Sequence, residues 1–351
     1  MTWDRFTSIG VLDVVAAALS LPLISLTIAL VIAVGILATK RAGADQRPSS
    51  APFEAPGRSV ASRYEPEHRV LGVAAVAVIV LFATENVVRG YLLNLADVVS
   101  WWRFATPVFC AFLGIAIALV FIASRGTARS EIPVVLADRR TWVSFGPHWG
   151  IVGAGIVLLL LLATTLAAGM ASSPDGEGRY VWLEIPVPNE STIDPIRLWF
   201  YGWAYGVPVL ICLAALSIAT WAALRCNAAR PYIRPETVGL ERFERREIAT
   251  GIVRIATAGM LLALGGAWRF IASSGSISQL VIEGENEGAP YEAAWRYAEL
   301  ATAGGWLAPA LEITAFVLLL LVASRLRRRN HSTTVPSTEA VDHTTSAGAA
   351  L

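Results

Sequence analysis

An all-α membrane protein with seven transmembrane helices is the fold class that this sequence predicts, from its hydropathy, its apolar segments and its charge distribution. A mean hydropathy of +0.57, with 55% hydrophobic residues in 351, is unusual for a soluble globular protein. Seven apolar segments are long enough to cross the hydrocarbon core of a bilayer. They cover about 14–39, 70–88, 104–123, 149–171, 199–224, 248–272 and 306–324.

A recurring pattern marks four of these segments: a proline, then a mostly apolar run, then a basic residue. The pairs are Pro22 with Lys40, Pro107 with Arg125, Pro208 with Arg225 and Pro309 with Arg325. Roughly 15 to 17 residues separate the two members of each pair, which at about 1.5 Å per residue crosses most of the hydrocarbon. We interpret the four segments as helices that descend towards the cytoplasm, with three ascending helices between them.

Basic residues concentrate at one end of the predicted helices, and this sets the orientation. Twenty of the 28 Lys and Arg residues lie in 40–69, 124–148, 225–247 and after 324, whereas seven lie on the opposite side. Because short basic loops stay in the cytoplasm, we expect the N-terminus outside and the C-terminus inside. The basic residues are almost all arginine and alanine is abundant, which favours a GC-rich bacterial genome and hence the bacterial plasma membrane.

The connecting segments divide the chain into four parts. Residues 1–39 are expected to form a lone first transmembrane helix. Residues 40–69 contain four prolines and are expected to form a flexible cytoplasmic linker. Residues 70–325 are expected to form a six-helix bundle, and residues 326–351, rich in Ser, Thr and Ala, a disordered cytoplasmic tail.

The six-helix bundle shows a hint of internal repetition. Residues 70–125, 148–225 and 247–325 resemble three copies of one helical hairpin, because the prolines near their outer ends are spaced by 101 residues twice. The alternative is the ordinary placement of prolines and arginines at the ends of membrane helices.

Two loops on the predicted outer side are longer than a simple connection needs. Residues 179–187 and 276–282 have the β-branched and aromatic composition of strands. We expect the two runs to pair as a small β-like cap formed by the two outer loops. The stretch 290–300, with three aromatic residues, is expected to form a short interfacial helix.

Charged residues in or near the hydrocarbon are the best candidates for a functional site, because burying an unpaired charge costs several kcal/mol. Glu85 and Arg89 lie on one face of the second span, four residues apart, while Arg269 ends the sixth span. Glu312 lies in the outer third of the seventh span and needs a partner, since a short carboxylate cannot reach far towards water. We expect these four residues to bind ligand in an outward-facing vestibule, flanked by Asp97 and Arg103. The alternative is a Glu85–Arg89 pair within one helix and an Arg269 that reaches the interface.

One stretch resembles a known enzyme family. The run Thr84-Glu85-Asn-Val-Val-Arg89-Gly90 resembles the Glu-Glu-x-x-x-Arg-Gly signature of the CAAX-protease/bacteriocin-processing membrane family over about ten residues. The resemblance implies a metal site completed by histidines inside the membrane. Thr84 replaces the first glutamate, and none of the four histidines lies within a predicted span, so that set is incomplete.

We therefore assign no catalytic residue, metal ligand or cofactor. The favoured function is non-enzymatic binding or transport of a small solute or lipid through an outward-facing cavity. An accessory or assembly subunit of a membrane complex is the alternative, and an intramembrane enzyme is the least favoured. The expected partners are the lipid bilayer, a small ligand and a membrane-protein partner, and nothing supports nucleic-acid binding.

Overall fold

The protein is a mostly helical membrane protein with short strands at one end. The structure, a computed structural model, describes residues 22–45, 54–89, 99–125, 141–187, 194–232, 234–277, 279–280 and 291–330. It is 78% helical. The helices are α1 (Pro22–Asp45), α2 (Glu54–Val87), α3 (Thr106–Arg125), α4 (His148–Ala171), α5 (Trp203–Ala229), α6 (Val238–Gly275) and α7 (Ala298–Asn330).

Six helices, α2 to α7, are long and apolar enough to cross a membrane. The apolar part of α1, Ile24–Thr39, is shorter, so the seventh span stays a prediction. We call the end of the bundle that carries the strands the sheet end. The opposite end, where the chain carries Arg125, Arg225 and Arg325, is called the basic end. The side of the membrane that each end faces stays a prediction from the charge distribution.

Helix α6 lies at the centre of the bundle, in contact with α2, α3, α4, α5 and α7. Of its most apolar stretch 89% is buried, against 17% for α4. Glycines permit this close packing. A Cβ atom on Gly259 would lie 2.7 Å from the Cβ of Ala111 on α3, and one on Gly265 would lie 3.1 Å from Cγ of Glu312 on α7. The three hairpins therefore do not occupy equivalent positions around a common centre, although duplication itself stays a prediction.

The flexible linker predicted over 40–69 is wrong for its helical parts. Helix α1 continues to Asp45, and α2 begins at Glu54, so that its 34 residues extend about 51 Å. Within the former linker, Val60, Tyr64 and Glu67 are buried, at the spacing of one helix face. Tertiary packing of this face outweighs the helix-breaking tendency of Pro66, which lies inside the helix. The disordered tail predicted over 326–351 is wrong for residues 326–330, which form the end of α7. Residues 46–53 and 331–351 lie outside the described residues.

The strand prediction is correct for the first loop, but the pairing is wrong. Strand β2 (Tyr180–Ile185) pairs antiparallel with β1 (Ser173–Pro174) and with β3 (Ile196–Trp199), all from one loop. Strands β4 (Gln279–Leu280) and β5 (Tyr291–Glu292) form a separate two-stranded sheet. Each loop pairs with itself because closing a short loop costs less chain entropy than joining distant segments.

The two loops nevertheless touch through side chains. Phe200, just after β3, packs edge-to-face against Trp295 with ring centroids 5.5 Å apart. The hydroxyl of Ser274, near the end of α6, donates a hydrogen bond to the carbonyl oxygen of Trp199. The interfacial helix expected over 290–300 is also wrong as a separate element: β5 occupies its first residues and α7 begins at Ala298.

Candidate ligand site at the sheet end

The structure brings Arg269 and Glu312, two of the predicted site residues, into direct contact. Arg269 donates from Nε to Oε1 at 2.6 Å and from Nη2 to Oε2 at 2.7 Å. Ser25 on α1 donates from Oγ to the same Oε2 at 3.1 Å. Glu312 is only 1% exposed, and a carboxylate buried to this extent needs the charged and hydrogen-bonding partners that it has here. Gly265, one turn before Arg269, leaves the space that the Glu312 side chain occupies.

Glu85 lies in a second charged region of the sheet end. The Thr106 hydroxyl lies near its carboxylate, and the guanidiniums of Arg89 and Arg103 act on it electrostatically. Arg103 lies over the rings of Phe104 and Phe270, at 5.0 and 5.1 Å from their centroids. Burial, followed by repulsion from Arg89, lowers the pKa of Arg103, although an arginine stays protonated at any physiological pH. Asp97, the other predicted flanking residue, lies outside the described residues.

An aromatic contact places the two carboxylates at similar depth. Phe82 on α2 and Phe316 on α7 meet edge-to-face with centroids 5.7 Å apart. Phe82 precedes Glu85 by three residues and Phe316 follows Glu312 by four, so each carboxylate lies about one turn closer to the sheet end. The outer parts of the second and seventh predicted spans therefore converge. A single vestibule lined by Glu85, Arg89, Arg269 and Glu312 stays a prediction.

A groove of about 600 Å³ lies nearby, between α4 and α7, with α6 as its back wall. This volume is within the range of small-molecule sites. The groove is mostly apolar, and its polar side chains are few. Trp268 donates from Nε1 to Oγ1 of Thr164 at 3.1 Å, which satisfies the indole N–H inside the groove. The residues from α4 and α6 that line it are Thr164, Ala167, Ala168, Met170, Ala171, Trp268 and Ile271.

The sheet-end mouth of this groove is built from residues before α7. Trp295 and Tyr297 meet edge-to-face at 5.3 Å, and Trp295 also packs on Phe200. Arg296, between them, is exposed, and its guanidinium lies 4.6 Å from the centroid of the Tyr297 ring. Farther in, α7 contributes Leu300, Ala301, Ala303, Gly304 and Leu307. Sequence reasoning recognised the aromatic character of this stretch but not the groove, which depends on the gap between two helices distant in the chain.

A buried polar network at the basic end was missed by sequence reasoning altogether. Arg245 on α6 is fully buried, and its guanidinium donates to the carbonyl oxygens of Arg230 and Pro231 at 2.7 and 2.9 Å. It also donates to the Tyr64 hydroxyl and to Glu241, both at 3.2 Å. The sequence signal that could have indicated part of this network is the four-residue spacing of Glu241 and Arg245, which places them on one helix face. These side chains join α2, α5 and α6 and hydrogen-bond to one another and to the backbone, which indicates a structural role.

A second ion pair belongs to the same network. Arg230, at the end of α5, donates to Oε1 of Glu67 on α2 at 2.7 Å and to the carbonyl oxygen of Ile122 on α3 at 2.9 Å. Both charged side chains are almost fully buried. Neither network offers a metal centre: the described residues contain no group of three or more His, Cys, Asp or Glu side chains that could hold a metal ion.

The groove and the charged regions thus form the candidate site at the sheet end, and the networks at the basic end hold the helices together. Comparison of the chain with protein-family models, with curated proteins and with solved structures gives no significant match.

Proposed function

We propose that this polytopic membrane protein binds a lipid, or another small molecule with a long apolar part, in the groove between α4 and α7. The observation that carries the proposal is the groove itself, about 600 Å³ of mostly apolar space that opens on the side of the bundle. Its lining residues Met170, Leu300 and Leu307 are each more than half exposed to the surroundings of the helices. In a bilayer those surroundings are hydrocarbon, so an acyl chain can enter sideways.

The lining favours a lipid over a polar solute. Trp268 donates its N–H to the Thr164 hydroxyl oxygen, and, apart from Arg296 at the mouth, the remaining wall of the groove is alanine, glycine, leucine, isoleucine, methionine and aromatic rings. A polar solute would lose its hydration there without gaining partners, which costs a few kcal/mol for each polar group. An acyl chain loses nothing of this kind.

The proposed ligand binds in the groove and not at the four charged residues that the sequence predicted as the ligand site. Arg269, Glu312 and Ser25 already satisfy one another, so a ligand would have to displace an internal contact to bind there. For orientation, the excess of basic residues at the basic end supports a cytoplasmic position of that end in a bacterial plasma membrane, with the sheet end outside.

Photocrosslinking tests the proposal directly. Full-length protein in nanodiscs is mixed with phosphatidylcholine or phosphatidylglycerol that carries a diazirine in one acyl chain, and the labelled peptides are mapped by mass spectrometry. We expect label on residues 164–171 of α4 and 300–307 of α7, above the level on the lipid-facing sides of α3 and α5. Substitutions Ala167→Phe and Ala303→Phe, which fill the groove, should reduce that label several-fold.

The matched control is Ala214→Phe, at an exposed position on α5 outside the groove, which should leave the label unchanged. Uniform labelling of all lipid-facing helices, unaffected by the filling substitutions, would overturn the proposal. Stoichiometric copurification of a second membrane protein that protects residues 300–307 from label would favour the accessory-subunit function instead.

A further inference from the structure

We infer that the groove selects molecules with an anionic head group, a carboxylate or a phosphate, and that Arg296 binds that group. The inference rests on the proposed function, since it concerns the chemistry of the same site. It assigns the apolar part of the ligand to the wall formed by α4, α6 and α7. The charged part is assigned to the mouth at the sheet end.

Arg296 is the one charged side chain among the described residues that line the groove. Its only interaction in the described part of the chain is the contact with the Tyr297 ring at 4.6 Å, and it forms no ion pair there. Cation–π contact uses the face of the guanidinium and leaves the N–H groups at its edge available. Those groups can donate two parallel hydrogen bonds to a carboxylate or a phosphate.

The position of Arg296 suits a head group rather than a chain. Trp295 and Tyr297 flank it, and such aromatic residues concentrate where hydrocarbon meets water. From the mouth the groove follows α7 from Leu300 to Leu307, about 10 Å at 1.5 Å per residue. This is about a third of the hydrocarbon thickness, enough for the part of one chain nearest its head group.

The charge of the lining determines the order of preference. No Asp or Glu is among the described residues that line the groove, so the ammonium group of a zwitterionic lipid would find no carboxylate there. An anionic head group gains a charge-assisted hydrogen bond to Arg296, and a neutral one gains less. We therefore expect anionic molecules to bind more tightly than zwitterionic ones with the same chains, and neutral ones to bind most weakly.

A matched pair of probes tests this preference. Binding of a long-chain fatty acid and of its methyl ester is measured by competition with photocrosslinking of the groove, in the wild type and in Arg296→Gln. A hydrogen bond to a charged group corresponds to about tenfold or more in affinity, so we expect the acid to bind the wild type at least tenfold more tightly than the ester. Arg296→Gln should remove that difference and leave the ester unchanged.

Two further comparisons complete the test. Phosphatidylglycerol against phosphatidylcholine with identical chains distinguishes a phospholipid from a free fatty acid as the source of the anion. Arg197→Gln removes another exposed arginine of the sheet end, one that pairs with Glu184 and does not line the groove. Equal loss in Arg197→Gln and Arg296→Gln would mean general attraction to a basic surface and would overturn the inference.

The proposed function and the inference fail in different ways. If acid and ester compete equally with labelling of the groove by the diazirine lipid in the wild type, and Ala303→Phe still reduces that label, then the groove binds amphipathic molecules without selecting charge. That result overturns the inference alone. If the diazirine lipids label residues 164–171 and 300–307 no more than the other helices, both ideas are wrong.

Discussion

Arg269 on α6 holds the carboxylate of Glu312 on α7 through two parallel hydrogen bonds of 2.6 and 2.7 Å. The pair joins the central helix to α7, the helix with which it has the most extensive contact, and the hydrogen bond from Ser25 connects α1 to the same carboxylate. Two-point contact between a guanidinium and a carboxylate fixes their mutual orientation as well as their distance. The pair therefore sets how the last two helices and the first one meet at the sheet end.

Glu312→Ala should lower the free energy of unfolding by about 3–5 kcal/mol, because it leaves the Arg269 charge partly buried without its carboxylate. Denaturant unfolding in a fixed detergent measures the change. Arg197→Ala is the comparison, since it breaks an exposed pair with Glu184 and should cost no more than about 1 kcal/mol.

The double substitution Arg269→Met with Glu312→Leu separates charge burial from packing. It removes both charges and keeps apolar volume, so it should be more stable than Glu312→Ala alone. A double variant as unstable as the single one would show that the pair contributes through its geometry and not only by neutralising a buried charge.

Arg245 should contribute as much to stability at the basic end as Glu312 does at the sheet end. Arg245→Met removes the cation beside the buried Glu241 carboxylate and the donors to two carbonyl oxygens, and we expect a loss of about 3–5 kcal/mol in unfolding free energy. Arg245→Lys should recover only part, because an ammonium cannot reproduce the planar set of donors. Arg242→Met, at an exposed position on the same helix, should change stability by less than about 0.5 kcal/mol.

The elements predicted correctly from sequence are those with a local physical signal. Apolar length predicts six helices that the structure contains, and the cost of a buried charge predicts that Glu312 has a partner. Ser25 carried no such signal. Ser25, Ala29 and Ala33 form a stripe of small buried residues through which α1 packs on α7. In the sequence, such small residues are indistinguishable from the ordinary composition of a membrane helix.

The features that sequence could not supply depend on contacts between distant segments. Four prolines suggested a linker where α2 is helical, because the burial of Tyr64 and Glu67 against α5 and α6 cannot be predicted from the segment alone. The run 180–185 has the composition of a strand, but composition does not determine which other strand it pairs with. The groove is a gap between α4 and α7 and has no sequence signature.

Close packing around α6 predicts opposite outcomes for two glycines. Gly259→Ala would place a methyl group 2.7 Å from the Ala111 Cβ and 3.0 Å from the Pro107 carbonyl oxygen, forcing α3 and α6 apart. We expect a loss of about 1–3 kcal/mol in unfolding free energy. Gly153→Ala on α4 meets open space and should be neutral or stabilising by up to about 1 kcal/mol, since alanine favours the helix. Equal effects at both positions, measured by denaturant unfolding, would contradict the packing around α6.

The turn between β1 and β2 should loosen in acid. Asp175 accepts hydrogen bonds from the backbone N–H groups of Glu177 and Arg179 at 2.9 and 2.8 Å, and from Nε of Arg179 at 2.8 Å. Gly178 supplies the left-handed conformation, with φ of 78°, that lets the chain turn around this carboxylate. Desolvation of the carboxylate, which is 8% exposed, raises its pKa, but these hydrogen bonds and the Arg179 charge outweigh it, so the pKa of Asp175 lies below its ordinary 3.8.

The sign of the pH dependence follows from that lowered pKa. Because the folded turn binds the proton less tightly than the unfolded chain, its stabilisation is complete above the ordinary pKa and is lost as the pH falls through the folded one. Amide hydrogen exchange at Arg179, corrected for the intrinsic rate, should show protection at pH 5 that disappears only below about pH 3.8. Asp175→Asn should remove the protection at pH 5, whereas Glu177→Gln, which alters only an exposed contact with Arg179, should retain most of it. Protection that is lost near pH 5 in the wild type would mean that the Asp175 carboxylate is not stabilised by this turn.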